Sequence, residues 1–152
     1  VLSFETPPLE EDTEATGPVE MRLWASSSEV DTDFTAKLLD IHPPGPAHPE
    51  GLAINITDSI IRARYRNGYD RPELMTPDTP YELVFQLYPT SQVFRKGHRI
   101  RLDISSSNWP RFDVNPNTGG PLGRDREYRT ATQAIYHDAK RASHVVLPLQ
   151  TR

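Results

Sequence analysis

Fifteen prolines are spread through 152 residues, about one in ten and roughly double the usual 5%. Each removes a backbone donor and fixes φ, so the chain is cut into short elements joined by firm turns. That spacing opposes a helical bundle and suits β architecture. Between the prolines, apolar residues recur at every second position, the period of a strand with one wet face.

Val19, Met21, Leu23 and Ala25 share one face of a strand, with Glu20, Arg22, Trp24 and Ser26 on the other. Phe34 to Ile41 and Leu52 to Ile56 are further candidates. Parity then changes, because Ile60 and Ile61 are adjacent and Arg62, Arg64 and Arg66 alternate with Ala63 and Tyr65. A turn or bulge at Thr57-Asp58-Ser59 explains the swap, since one extra residue exchanges the two faces. Asn67 to Pro80 reads as a long loop, followed by strands at Tyr81–Tyr88 and, after a Lys96-Gly97 turn, Arg99–Ile104. Ser105 to Asp125 is irregular, and strands near Ala131–Tyr136 and His144–Leu149 close the chain. Seven or eight such strands predict an all-β fold, an antiparallel β-sandwich, as one domain over residues 1–152.

Composition removes several function classes. Seventeen Lys+Arg against 21 Asp+Glu give a net charge of −4, without the excess positive charge of a nucleic-acid or anionic-membrane binder. No apolar stretch reaches the roughly 18 residues of a membrane helix. Zero cysteines exclude a disulfide scaffold, a thiolate metal site and a cysteine nucleophile. Their absence fits a cytoplasmic location, with a secreted parent as the alternative. The chain begins at Val1 without an initiator Met, as expected of a piece of something longer.

Catalytic signatures are equally scarce. No Gly-x-Ser-x-Gly elbow occurs. Ser143, His144 and Asp138 can be drawn as a triad, but neighbours in a strand point to opposite faces. The five histidines (His42, His48, His98, His137, His144) show no mutual i,i+2 or i,i+4 pairing of the kind metal sites use. Asp31-Thr32-Asp33 alternates carboxylates as a calcium loop does, yet lacks the Gly and Glu of an EF-hand. A structural Ca²⁺ on loop oxygens is the single metal this leaves; otherwise no cofactor is expected. Pairing of Asp31 and Asp33 with arginine, such as Arg62 and Arg64, is the favoured role. Fourteen of the 17 basic residues are arginine, whose planar fork suits fixed pairing. The arginine stripes at 62–66 and 99–101 read as cross-strand partners of Asp40, Asp58 and Asp103.

The segment Ser105-Ser106-Ser107-Asn108-Trp109-Pro110-Arg111-Phe112-Asp113-Val114-Asn115-Pro116-Asn117-Thr118-Gly119 concentrates short polar side chains around two aromatics and an arginine. It reads as an ordered loop whose Asn108, Trp109, Arg111, Asn115 and Asn117 satisfy its own backbone or an interdomain contact. The alternative is a free-standing carbohydrate-binding module with Trp24 or Trp109 as stacking face.

At these residues the chain resembles the C-terminal non-catalytic domain of the X-prolyl dipeptidyl-peptidase and cocaine-esterase (CocE/NonD) serine hydrolases. The matching stretches run in order along nearly the whole chain: Pro7 to Asp12, Thr16 to Val19, Ser27 to Phe34, Ile61 to Arg66, Pro80 to Leu83, Gly97 to Leu102, the serine-rich loop through Gly119, Tyr136 to Asp138, and Leu147-Pro148. Asp-Thr-Asp-Phe and Ser-Asn-Trp-Pro-Arg-Phe are the most specific blocks. Ser59 departs from a frequent glycine and Ala142 from a usual proline. The resemblance implies a jelly-roll sandwich similar to galactose-binding domains. It also implies a parent chain with α/β-hydrolase and helical cap domains as packing partners, the triad lying there, and a fragment inert alone.

Overall fold

The structure, a computed structural model, describes residues 1–150. Nine strands carry it: β1 (Leu2–Glu5), β2 (Thr13–Ser27), β3 (Asp33–His42), β4 (Leu52–Arg62), β5 (Tyr81–Phe94), β6 (Arg99–Ser105), β7 (Gln133–Asp138), β8 (Arg141–Ala142) and β9 (His144–Val146). They form two antiparallel sheets, ordered β1-β6-β3-β4 and β5-β2-β7-β8, with β9 also pairing β2. The all-β sandwich predicted from alternation is the observed architecture.

Alternation dictates which residues meet between the sheets. Val19, Met21 and Leu23 of β2 stand opposite Leu87, Phe85 and Leu83 of β5. Phe34, Ala36 and Leu38 of β3 close on them from the other sheet, with Ile61, Ile100 and Ile104. Phe34 and Phe94 are the largest fully buried side chains. Truncating either to alanine removes about 3–5 kcal/mol through lost transfer energy and a residual cavity.

Irregularities fall where backbone chemistry demands them. The β2–β5 register shifts between Gly17 and Val19, where Pro18 and, across the ladder, Pro89 have no N–H to donate. The β3–β4 register shifts because Leu38 pairs Thr57 while Leu39 pairs Asn55, leaving Ile56 as the extra residue. Of the turn or bulge expected at Thr57-Asp58-Ser59, the structure has the bulge, within one continuous strand and one residue earlier. Gly97 takes φ +84° in the turn that feeds β6, a conformation costly for any residue with a Cβ. The arginine stripe needs a correction. β4 ends at Arg62, and Ala63–Tyr65 form a 3-10 turn that aims Arg62, Arg64 and Arg66 at different partners.

On the outer face of the four-stranded sheet, Asp33, Thr35 and Asp58 should be wet by strand parity, yet all three are buried. The segment after β6 covers the two carboxylates, Asn108 reaching Asp58 and Asn115 reaching Asp33, while Thr35 Oγ1 donates to the carbonyl of Ser105 at the end of β6 at 3.4 Å. This loop is a lid on the sheet, and it positions the site.

Candidate functional site

Asp31 sits in the turn before β3 and Asp33 on its first residue; both are 0–1% exposed. Carboxylates so placed require partners. Arg62 Nε and Nη2 donate to the two Asp33 oxygens at 2.9 and 3.0 Å, a two-bond fork. Arg64 meets Asp31 through Nε and Nη2, both 2.8 Å from Oδ2, and through its backbone N–H to Oδ1 at 3.2 Å. Asn115 joins the pairs, its Nδ2 donating to Asp31 Oδ2 at 2.9 Å and Asp33 Oδ1 at 2.7 Å. Its Oδ1 accepts from the Asn117 N–H at 2.9 Å, holding Asn117 at φ +65°. Asn117 Nδ2 and Arg64 Nη1 then bind the Arg129 and Gly120 carbonyls at 2.8 and 3.0 Å. Six polar side chains thereby staple two long loops to the start of β3.

The charges respond to this enclosure. Burial pushes the Asp33 carboxyl up, opposed by hydrogen bonds from Arg62 and Asn115 and by the Arg62 charge. The hydrogen bond to Asp33 holds the Arg62 guanidinium above its ordinary value. Both carboxylates take their countercharge from guanidinium groups, the pairing expected of Asp31-Thr32-Asp33.

Asn108, Trp109 and Arg111 form a second cluster. Asn108 Nδ2 donates to Asp58 Oδ2 at 2.9 Å and Arg111 Nη2 lies 3.2 Å from Asp58 Oδ1. The Arg111 guanidinium rests 5.4 Å from the Tyr88 ring centre and 5.6 Å from that of Phe112. Trp109, joined to Pro110 by a cis peptide, is 72% exposed. Trp24 belongs to the other sheet, on β2 between Glu82 of β5 and Tyr136 of β7. Trp24 thus lies on a strand of the five-stranded sheet, and Trp109 in the loop that follows β6 of the other.

The remaining arginines follow local geometry. Arg66 donates to the Ala63 and Glu73 carbonyls and stacks 4.4 Å from the Tyr81 ring centre. Arg101 pairs with Asp103, two residues along its own strand, at 2.6 Å. No triad forms at Ser143. Its hydroxyl donates to the Tyr136 carbonyl at 2.5 Å and accepts from the Trp24 N–H at 2.9 Å, while His144 Nδ1 lies against the Ala142 carbonyl at 2.7 Å.

One cluster escaped the sequence reading. Asp40 and His42 are an i,i+2 carboxylate–imidazole pair on the inner face of β3, and His98 enters beside them just before β6. Looking for histidines paired with histidines misses it, because one ligand is a carboxylate and the other imidazole lies 56 residues further along.

Two antiparallel sheets packed on an apolar core, with a polar loop capping one outer face, make this chain, as a class, an all-β sandwich domain. Comparison with known proteins defines it further: residues 1–146 match the X-Pro dipeptidyl-peptidase C-terminal non-catalytic domain, and the chain belongs to that family. It is 44% identical over 154 residues to a cocaine esterase from Rhodococcus sp. (strain MB1 Bresler), covering 100% of this chain and 26% of that protein. An alpha-amino acid ester hydrolase superposes with a TM-score of 0.92 at 32% identity, over 98% of this chain and 25% of that one. An aminopeptidase from a marine sediment archaeon, Thaumarchaeota archaeon, gives 0.92 at 31% identity, over 99% and 26%. A CocE/NonD family hydrolase from Staphylococcus aureus shares the fold at 17% identity and a TM-score of 0.74. The chain spans about a quarter of the length of these relatives.

Proposed function

We propose that this domain is the C-terminal accessory part of a serine hydrolase acting on esters or X-Pro peptides, and that it packs on the catalytic α/β-hydrolase and cap domains of its parent. The observation that carries the reading is an apolar cleft of about 580 Å³ between β1 and β6 of one sheet and β7 and β9 of the other. Core residues Met21, Leu23, Ile100 and Ile104 line it, along with Phe4 and Ile135. Leu2 and Phe4 on the edge strand at this side are 51% and 41% exposed. Apolar surface of this kind marks a contact face. Relatives about four times longer supply the occupant, namely the rest of the parent chain.

The carbohydrate-binding alternative has less support. Trp109 offers a stacking face, but Asn108, Arg111 and Asn115 beside it already spend their polar groups on Asp58, Asp31 and Asp33. A ligand would have to break those bonds to use them. In the docking account the domain bounds and braces the catalytic part and turns nothing over alone.

The test is Phe4→Glu in the whole gene product, with Glu50→Lys in an exposed turn as control. The charge on the cleft rim lowers thermal stability and ester hydrolysis together, and the control leaves both unchanged. Unchanged stability and turnover with Phe4→Glu would contradict docking at this face.

A further inference from the structure

We propose that Asp40, His42 and His98 form a binding site for a divalent transition-metal ion, zinc in the first instance. Each offers one ligand atom, and these atoms all lie within 4.8 Å of one another. Asp40 Oδ1 is 2.8 Å from His98 Nδ1, and Asp40 Oδ2 is 3.4 Å from His42 Nε2. Two ligands of a tetrahedral zinc ion, each about 2.0–2.1 Å from the metal, stand about 3.3 Å apart. Asp40 meets each imidazole through a different oxygen, so one oxygen comes to serve both as the carboxylate turns, and the tight 2.8 Å His98 contact opens by about half an ångström.

The fold prepares this arrangement. Residues two apart on a strand share a face, so Asp40 and His42 both project from β3 towards the inside of the sandwich. The β3–β6 register pairs Ile41 with Arg99, which brings His98 alongside His42 with ring centres 4.2 Å apart. His98 is held at both backbone groups, its N–H donating to the Arg95 carbonyl at 2.9 Å and its carbonyl accepting from the Leu9 N–H at 2.8 Å. From the opposite sheet, Gln92 Nε2 donates to Asp40 Oδ2 at 3.2 Å and orients the carboxylate, as outer-shell partners do in metal sites. Asp40 is buried, while the His42 side chain is 32% exposed, which gives an ion its way in and leaves a coordination position for water or another ligand.

Ligand chemistry selects the metal. Two imidazoles and one carboxylate suit zinc and its neighbours in the transition series, whereas calcium and magnesium take all-oxygen shells. Binding uses a lone pair on His98 Nδ1, the nitrogen that lies 2.8 Å from Asp40 Oδ1.

The experiment strips the whole gene product with a chelator and dialyses it against buffered free Zn²⁺, beside His42→Ala and His98→Gln. The unsubstituted protein retains one more equivalent of zinc than either variant. Each variant weakens that binding by more than the roughly 10–100-fold that losing an outer-shell partner costs. With Co²⁺ in place of zinc, the unsubstituted protein gains visible d–d bands that the variants lack. Should His98→Gln fail to fold, His42→Ala at the more exposed position carries the comparison. Equal metal content and equal cobalt spectra in all three proteins would overturn the proposal and leave Asp40 and His98 as a close polar contact at the edge of the core.

Discussion

Replacing Asp31 with alanine tests the network most sharply. The substitution removes the acceptor of two Arg64 guanidinium contacts, both at 2.8 Å, and of the Arg64 backbone N–H. The guanidinium keeps its bond to the Gly120 carbonyl, but at 7% side-chain exposure it has almost no water to turn to. Stranding one charge of a buried pair costs about 3–5 kcal/mol. In a domain of this size each kcal/mol lowers the melting temperature by about 2–4 °C, so the expected loss is roughly 6–20 °C. Asp33→Ala should cost less, because Arg62 is 16% exposed and keeps Asp113 at 3.4 Å. Denaturant unfolding gives the numbers, read as a midpoint shift at constant slope. The double variant Asp31→Ala/Arg64→Met removes both charges and should cost less than the sum of its parts, with a coupling of about 0.5–3 kcal/mol. An Asp31→Ala loss below about 1 kcal/mol, or strict additivity in the cycle, would refute the reasoning.

Three further outcomes follow from the same geometry. Asn115→Ala takes one hydrogen-bond donor from each of two buried carboxylates, so it should destabilise by about 1–3 kcal/mol and expose the 106–132 loops to limited proteolysis. Burial works against the Asp103 charge, but hydrogen bonds from Arg101 and Ser3 and the charges of Arg101 and Lys37 outweigh it and hold the carboxyl below its usual range. A depressed carboxyl contributes stability that is full above the unfolded value of about 3.9 and is lost as pH falls through the folded value. Asp103→Asn should therefore flatten the acid limb of the stability profile, as followed by thermal melts across pH. Titration with simple sugars should produce no saturable quenching of tryptophan fluorescence; saturation that disappears in Trp109→Ala would restore the binding-module reading.

Much of the sandwich is legible in sequence because period-two alternation is a local signal. Leu83, Phe85 and Leu87 face the core for the same reason that they alternate with Glu82, Val84 and Gln86. Leu2–Glu5 escaped the strand reading although Leu2 and Phe4 alternate with Ser3 and Glu5, since four exposed residues on a sheet edge are too short a run for the period to stand out. Pairing of Asp31 and Asp33 with Arg62 and Arg64 was legible because opposite charges on rigid neighbouring elements have few other ways to be satisfied. The bridging role of Asn115 was not, as it depends on where an irregular loop returns 82–84 residues later. The 3-10 turn after Arg62 also escaped, because Arg-Ala-Arg-Tyr-Arg alternates as a strand does, and what distinguishes it is the Arg66 N–H bond back to the Ala63 carbonyl at 3.2 Å.

Docking through the open cleft is the central claim, and amide hydrogen exchange tests it most directly. The whole gene product and the 152-residue chain would be compared over Leu2–Glu5 and His144–Val146, the strands flanking the cleft. Covering by the rest of the parent predicts slow exchange at these strands in the whole protein and fast exchange in the isolated domain, with core strands β2 and β3 alike in both. Equal exchange at β1 and β9 in the two proteins would show the cleft to be uncovered and contradict the account.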